Sequence, residues 1–180
     1  MTSLDRLTGQ YPSYKPKRLI VAAIPAFNVE KTIAKIVLEA QKYVDVVLVC
    51  DDGSEDMTAE IAERLGADVI RHEKNLGYGA AIKTLFTMSR ELNADVLVTL
   101  DGDGQHNSRE IPALVEPVLE NKANIVLGSS FLGSENDVPN HRRWGIKLIT
   151  KLTGAVSNHK FTDAQCGFRV YGRKALEGLR

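Results

Sequence analysis

The chain has 180 residues, 23 of them Lys or Arg and 23 Asp or Glu, so its formal net charge is zero. With 43% hydrophobic and 26% charged residues it has the composition of an ordinary soluble domain, long enough for one core that buries roughly 70% of the unfolded surface. Neutrality excludes a simple nucleic-acid binder, an acidic tail and disorder driven by high charge.

The balance is uneven along the chain. Residues 1–140 carry 14 Lys+Arg against 21 Asp+Glu, a net of −7. Residues 141–180 carry nine (Arg142, Arg143, Lys147, Lys151, Lys160, Arg169, Arg173, Lys174, Arg180) against Asp163 and Glu177, a net of +7. A basic stretch on an acidic body points to an anionic partner, although on charge alone a solvated helix face is the plainer explanation. Cys50 and Cys166 are too few and too far apart for a disulfide framework, so both read as free buried thiols in a reducing setting. The histidines His72, His106, His141 and His159 show no ligand spacing. The longest apolar stretch, Leu19–Phe27, is nine residues with Pro25 inside it and falls well short of a membrane span. Met1–Lys17 reads as a polar arm with Pro12 and Pro16, without the apolar region of a signal peptide.

In chain order, Leu19–Ile24 is a continuous apolar run that suits a strand buried on both faces and stopped by Pro25. Glu30–Tyr43 has Ile33, Ile36, Val37 and Ala40 at helical spacing, with Asn28 as its expected cap. Val44–Cys50 is a second strand, closed by Asp51-Asp52-Gly53-Ser54. Asp56–Leu65 is a helix ended by Gly66. Ala67–Arg71 is a short strand, Gly77–Leu92 a long helix, and Asp95–Leu100 a strand leading into Asp101-Gly102-Asp103-Gly104. Ser108 is expected to cap a helix through Glu120, before a strand at Asn124–Leu127. Beyond Gly128 the alternation fails: a polar loop spans Phe131–Asn140, a helical pattern runs over Arg142–Val156, and Phe168–Tyr171 reads as a last strand before a helix at Arg173–Leu179.

Strands alternating with helices predict an α/β domain with an open, mainly parallel sheet flanked by helices. Such sheets bind ligands at the carboxyl ends of their strands. Asn28, Asp51, Asp52, Asp101 and Asp103 all collect there. Asp101 and Asp103, two residues apart in a Gly-rich turn, offer hard oxygen ligands of the kind Mg²⁺ or Mn²⁺ takes before completing its shell with water and phosphate. A calcium EF-hand loop is excluded because its sixth and twelfth positions are His106 and Pro112. One carboxylate of Asp51-Asp52 is placed to accept from a base or ribose, while the other serves equally as a helix cap. Gly77-Tyr78-Gly79-Ala80-Ala81 mimics a dinucleotide fingerprint but follows the third strand rather than the first, so it reads instead as a packed helix start, with its amides available to a phosphate.

Taken in order, Ile24-Pro25-Ala26-Phe27-Asn28-Val29-Glu30, Asp51-Asp52-Gly53-Ser54, Asn75-Leu76-Gly77, Asp101-Gly102-Asp103 and Gly167-Phe168-Arg169 resemble the motifs of family-2 glycosyltransferases, most of all the dolichyl- and polyprenyl-phosphate sugar synthases. The resemblance runs from Arg18 to Leu179. It implies a GT-A fold over residues 18–180, with a Rossmann-like nucleotide-sugar part at about 18–128 and an acceptor part at about 129–180. It assigns Pro25, Ala26, Phe27, Asn28, Glu30, Asp51, Asp52, Gly53, Gly77, Asp101 and Gly102 to the nucleotide sugar, and Asp101, Asp103 and Gln105 to the metal. The family's usual Tyr-Asn-Glu-Glu reads Phe27-Asn28-Val29-Glu30 here, its Gly-Ser-Arg after the fifth strand reads Gly128-Ser129-Ser130, and its domain normally continues past Gly-Phe-Arg, which implies a truncated or minimal member.

The implied reaction is an inverting, metal-dependent transfer from a UDP- or GDP-sugar to a polyprenyl or dolichyl phosphate at the cytoplasmic face of a membrane. A phosphate monoester with a second pKa of about 6 is already a nucleophile near neutrality. It needs cations to align it rather than a strong base, and Arg142, Arg143 and Arg169 are the expected guanidinium donors. A saccharide hydroxyl would instead need a base, for which Asp163 is the candidate, with helix capping or an Arg pair as its ordinary role. A nucleotidyltransferase is disfavoured because Pro25-Ala26-Phe27-Asn28 is not a Gly-rich basic loop. A catalytically impaired nucleotide-sugar-binding module remains the alternative that Ser130 suggests.

Overall fold

The structure, a computed structural model, describes residues 18–104, 106–129, 145–147 and 167–178. Its strands are β1 (Ile20–Ala26), β2 (Val46–Asp51), β3 (Asp68–Arg71), β4 (Val96–Thr99), β5 (Ile125–Ser129), β6 (Gly145–Lys147) and β7 (Arg169–Gly172). Its helices are α1 (Glu30–Ala40), α2 (Thr58–Arg64), α3 (Tyr78–Glu91), α4 (Ile111–Leu119) and α5 (Arg173–Gly178), with one 3₁₀ turn at Ser108–Glu110. The strands form one sheet in the order β3-β2-β1-β4-β7-β5-β6. β1 pairs in parallel with β2 and β4, and β2 with β3. β7 is antiparallel to both β4 and β5, and β6 is antiparallel to β5. Five strands therefore point one way and bring their C-terminal ends to one edge, which is the open, mainly parallel α/β sheet that the sequence predicts.

The two-residue period of a strand decides the layers. In β1, Ala22, Ile24 and Ala26 face one core with Ile33, Ile36, Val37 and Ala40 of α1 and Leu114, Val115 and Val118 of α4. Val21 and Ala23 face the other, with Leu48, Leu97, Tyr171, Ala81 and Leu85 of α3, and Leu176 of α5. Strands covered on both sides must be apolar at every position, hence the unbroken runs in the sequence. Each fully buried aliphatic side chain stabilises by roughly 1.5–3 kcal/mol.

Several boundaries differ from expectation for local reasons. Pro25 lies inside β1, in register with Cys50. The neighbouring rungs show why: Ala23 accepts from Leu100 N–H on the β4 side and Ala26 from Asp52 N–H on the β2 side, and successive residues alternate between the two. Pro25 thus faces the β4 side, where β4 has already ended at Thr99, and its missing N–H removes no ladder bond within the paired span. Asn28 does not cap α1; it sits at φ 51°, and the cap position is Val29, with no side-chain bond of its own. The α1 start is held from across the fold instead. Val29 N–H donates to Thr58 Oγ1 at 2.8 Å and Glu30 N–H to Asp56 Oδ2 at 3.1 Å. Asn107, not Ser108, caps the turn before α4, accepting from Arg109 N–H at 3.2 Å. The helical pattern expected over 142–156 contains a strand at 145–147, because the alternation of Trp144, Ile146 and Leu148 also fits period two and the edge of β5 offers a ladder. The rest of that range lies outside the described residues. Among the described residues no helix is long and apolar enough to cross a membrane.

One turn fixes the distance between two loops at the functional edge. Gly53, at φ +75°, lies so close to the next loop that a Cβ would stand 2.5 Å from the carbonyl carbon of Lys74 and 2.7 Å from the nitrogen of Asn75. Both neighbours are backbone and cannot swing away. Gly53→Ala is therefore expected to destabilise the fold by about 2–4 kcal/mol through left-handed strain and backbone displacement, measured as a lower urea midpoint; an unchanged midpoint would show that the loops are free to part.

Candidate active site

The edge where β1–β4 end carries two clusters of acid residues, each set by the loop that follows its strand. At the end of β2, Asp51 is fully buried, with Oδ1 accepting Ser54 N–H at 3.2 Å and Oδ2 lying 3.1 Å from Arg71 Nε. Asp52 is 3% exposed, and its carboxylate accepts from three groups. Leu76 N–H donates to Oδ1 at 3.0 Å, Gly77 N–H to Oδ2 at 2.8 Å, and His72 Nδ1 lies 2.7 Å from Oδ1. Burial pushes the Asp52 pKa up, but the Leu76 amide, the His72 ring and the Gly77 amide outweigh it and hold the group below its ordinary 3.8. An ionised carboxylate only accepts, so His72 Nδ1 carries the proton. The other ring nitrogen, Nε2, stands 3.0 Å from Thr84 Oγ1 and 3.5 Å from Cys50 Sγ. Burial, followed by the charges of Asp52 and Asp51, pushes the Cys50 thiol up to about 11, so it stays protonated and unreactive.

Around this cluster opens a cleft of about 520 Å³, walled by Phe27, Gly53, Ser54, Glu55 and the Arg71–Asn75 segment. Phe27 is 44% exposed and lines it. Asn28 and Glu30, expected near the base, are tied to the same wall. Asn28 N–H donates to Ser54 Oγ at 2.8 Å, its Oδ1 accepts from Glu55 N–H at 2.9 Å, and Glu30 Oε2 accepts from Met57 N–H at 3.2 Å.

The second cluster follows β4. Asp101 Oδ2 lies 2.9 Å from His106 Nε2, and Tyr78 O–H donates to Oδ1 at 3.3 Å. Burial raises the Asp101 pKa, yet the bond and charge of His106, the Tyr78 hydroxyl and the Arg169 charge prevail and hold it low. Burial and the Asp101 charge push Tyr78 up to about 12, so its phenol remains a donor. His106 meets Phe168 in a tilted ring contact, centroids 5.3 Å apart and planes 40° from parallel. Gly167 explains the glycine of Gly-Phe-Arg: a Cβ there would overlap the Asp101 carboxylate. Gly102 is buried and its carbonyl accepts from Thr32 Oγ1 at 2.6 Å, which leaves Asp103 exposed at the tip of the turn. A smaller cleft of about 340 Å³ joins Asp101 to Arg169, with Tyr78, Phe86 and Tyr171 on its apolar side.

The structure thus brings Pro25, Ala26, Phe27, Asn28, Glu30, Asp51, Asp52, Gly53, Gly77, Asp101, Gly102 and Asp103 to one edge, and sets Arg169 beside Asp101. Gln105, Arg142, Arg143 and Asp163 lie outside the described residues. Asp52 differs from expectation, since its carboxylate is turned into the protein and filled by protein donors. The donors that fill it include the amides of Leu76 and Gly77, the latter at the helix start whose amides the sequence suggests for a phosphate. His72 and His106 carry no ligand spacing, and the signal they do carry is a place just beyond the carboxyl end of a strand; Tyr78 is the first residue of α3, in the motif-like helix start, with no sequence feature that marks it as a partner of Asp101. Among the described residues no three His, Cys, Asp or Glu side chains converge as a metal cage. What remains fits Mg²⁺ or Mn²⁺ bound chiefly through a diphosphate: Asp103 is an exposed hard-oxygen donor, and the Asp101 carboxylate has lone pairs beyond those used by Tyr78 and His106.

Residues 21–180 match the Glycosyl transferase family 2 profile. The chain is 30% identical over 182 residues, covering 90% of itself and 72% of the other, to a UDP-N-acetylglucosamine–dolichyl-phosphate N-acetylglucosaminyltransferase of Methanococcus voltae. It is 33% identical over 91% of its length to an undecaprenyl-phosphate 4-deoxy-4-formamido-L-arabinose transferase of Pseudomonas aeruginosa, of which it spans 50%. Among solved structures it resembles a glucosyl-3-phosphoglycerate synthase of Mycobacterium tuberculosis in complex with Mn²⁺, UDP and glucosyl-3-phosphoglycerate, at 28% identity and a TM-score of 0.52, over 61% of this chain and 43% of that one. The sheet has the GT-A architecture that the order of motifs implies.

Because Asp52 titrates lower in the fold than its ordinary 3.8, its stabilising contribution is complete above that value and is lost as pH falls through the folded pKa. Asp52→Asn is expected to lower stability at pH 7 by about 2 kcal/mol and to lose less further stability between neutral and acid pH than the wild type. Melting temperatures across pH 3–7 check this; parallel acid limbs would show that Asp52 carries no such linkage.

Proposed function

The chain belongs to glycosyl transferase family 2, and on that premise we propose that it moves a sugar, with inversion, from a UDP- or GDP-sugar to a polyprenyl or dolichyl phosphate. Mg²⁺ or Mn²⁺ is the proposed cofactor. The observation that carries the reading is the meeting of Asp101 and Arg169 across one cleft, next to the exposed Asp103 and beside a separate cleft large enough for a nucleoside. A divalent ion held by Asp103 and Asp101 would neutralise charge on the departing diphosphate. The protein's own groups do the rest. Tyr78 and His106 fix the Asp101 carboxylate from both sides, so it need not reorganise as charge moves. Phe27 offers an aromatic face to a base in the larger cleft.

A lipid phosphate acceptor is supported by the names of the Methanococcus and Pseudomonas relatives, and a metal-bound nucleotide donor by the mycobacterial complex. Arg169 is the described cation on the acceptor side, with Arg142 and Arg143 proposed to join it. With such an acceptor the protein works at a membrane surface, and we place it at the cytoplasmic face. The dianionic phosphate attacks the anomeric carbon, the bond from that carbon to the diphosphate breaks, and the nucleoside diphosphate departs. No proton need be removed.

Sugar transfer to a short polyprenyl phosphate, screened over UDP- and GDP-sugars with Mg²⁺ or Mn²⁺, is the expected activity. Asp103→Asn is expected to reduce it by at least about a hundredfold without moving the melting temperature, since the residue is exposed. Transfer to a saccharide hydroxyl and not to the lipid phosphate would remove the acceptor assignment. Binding of nucleotide without any turnover would identify a binding module.

A further inference from the structure

We propose that His72 is a positioning residue of the donor site, acting through Asp52 to hold the Leu76–Gly77 turn and, with it, the Lys74–Asn75 wall of the nucleotide cleft. The inference rests on the donor-site reading above and adds to it a residue outside every motif used to reach it.

His72 is nearly buried, its side chain 11% exposed, at the point where β3 gives way to the loop leading into α3. Both ring nitrogens are engaged by protein groups. Nδ1 donates to Asp52 Oδ1 at 2.7 Å and Nε2 meets Thr84 Oγ1 at 3.0 Å, so the ring bridges the end of β2 and the first turns of α3 and keeps neither nitrogen for a ligand. The same Asp52 oxygen that takes the His72 proton also takes Leu76 N–H, while its partner oxygen takes Gly77 N–H. Removing the imidazole would leave a buried anion short of one of its three donors, and such a group recovers its loss by drawing in water or by moving. Either response loosens the two amides. Lys74 and Asn75 are directly upstream of those amides, and their backbone is the surface on which Gly53 is seated. Lys74, Asn75 and Gly53 all line the 520 Å³ cleft. Gly77 N–H is shared with Asn75 Oδ1 at 3.0 Å, a bond internal to the turn, so it is the Asp52 carboxylate that ties the turn to the end of β2, and the wall of the cleft leans on that tie.

His72→Ala and His72→Asn in the full chain separate this role from a general loss of fold, because Asn Nδ2 can replace the ring Nδ1 as donor to Asp52. Calorimetric titration with UDP and with GDP, each with Mn²⁺, is expected to show His72→Ala weakening the nucleotide that binds the wild type by about tenfold, or roughly 1.4 kcal/mol. In turnover the donor KM rises in step while kcat stays within about threefold. Amide hydrogen exchange at Leu76 and Gly77 is expected to quicken in His72→Ala, and His72→Asn to restore both affinity and protection. Unchanged affinity in His72→Ala, or a folded His72→Asn that remains as weak as His72→Ala, overturns the inference. A wild type that binds neither nucleotide overturns the donor-site reading and this inference together, whereas tight wild-type binding with an indifferent His72→Ala overturns the inference alone.

Discussion

Parallel strands deliver their loops to a common edge but do not by themselves hold those loops against one another, and here the holding falls to a carboxylate buried at the end of β2. Taking an ionised group out of water is costly unless donors replace the lost hydration. Asp52 obtains them from two backbone amides and an imidazole of the loop after β3. The requirement runs in both directions: the anion needs the amides, and the amides hold the loop in the conformation that supplies them together. Gly53 adds a steric term, since only a residue without a side chain lets the two loops touch. Asp56 repeats the device on a smaller scale, accepting from Glu30 N–H and Thr58 N–H and so joining the α1 start to the α2 start. The edge is thus stiff before any ligand arrives, which is the condition for dipoles there to act without reorganising.

The charge pattern acquires a spatial meaning from this arrangement. Asp51, Asp52, Asp101 and Asp103 of the −7 portion lie at one edge, but they do different work: Asp51 and Asp52 are interior, Asp101 is half-buried between Tyr78 and His106, and Asp103 faces solvent. The +7 portion is also divided. Arg169 stands beside Asp101 on the functional side, whereas Arg173 pairs with Asp95 at 3.1 Å and donates to Asn93 O at 2.7 Å, at the opposite end of β4. Part of an apparent basic patch can therefore be structural, as Arg173 is, and a count of charges along a chain does not reveal which part.

Much of the fold was legible because burial on both faces imposes apolar runs that composition alone exposes. Leu19–Ile24, Val44–Cys50 and Asp95–Leu100 show their strands as apolar runs, and the four inward residues of α1, Ile33, Ile36, Val37 and Ala40, follow from their spacing. The misreadings have a common cause. Local propensity misplaces Asn28 and Pro25, whose conformations are decided by groups about 25 residues away or by where a neighbouring strand stops, and at Ser108 it misses by one residue, since the adjacent Asn107 takes the cap. The acid pairs were visible in the sequence, yet nothing in Asp51-Asp52 distinguishes an outward carboxylate from one that is consumed by the next loop. Ligand spacing among histidines does not mark His72 or His106, because the partner of each is a carboxylate at a strand end: Asp52, twenty residues away across β3, for His72, and Asp101, five residues back in the same loop, for His106.

The central claim is that a nucleoside diphosphate and its metal occupy this edge, and a crystal structure of the protein with UDP or GDP and Mn²⁺ tests it most directly. The expected result has the nucleoside in the cleft of Phe27, Gly53, Lys74 and Asn75, the diphosphate reaching toward the turn after β4, and the ion within about 2.2 Å of an Asp103 oxygen. A nucleotide bound away from this edge, or an ion coordinated there without either Asp101 or Asp103, would contradict it.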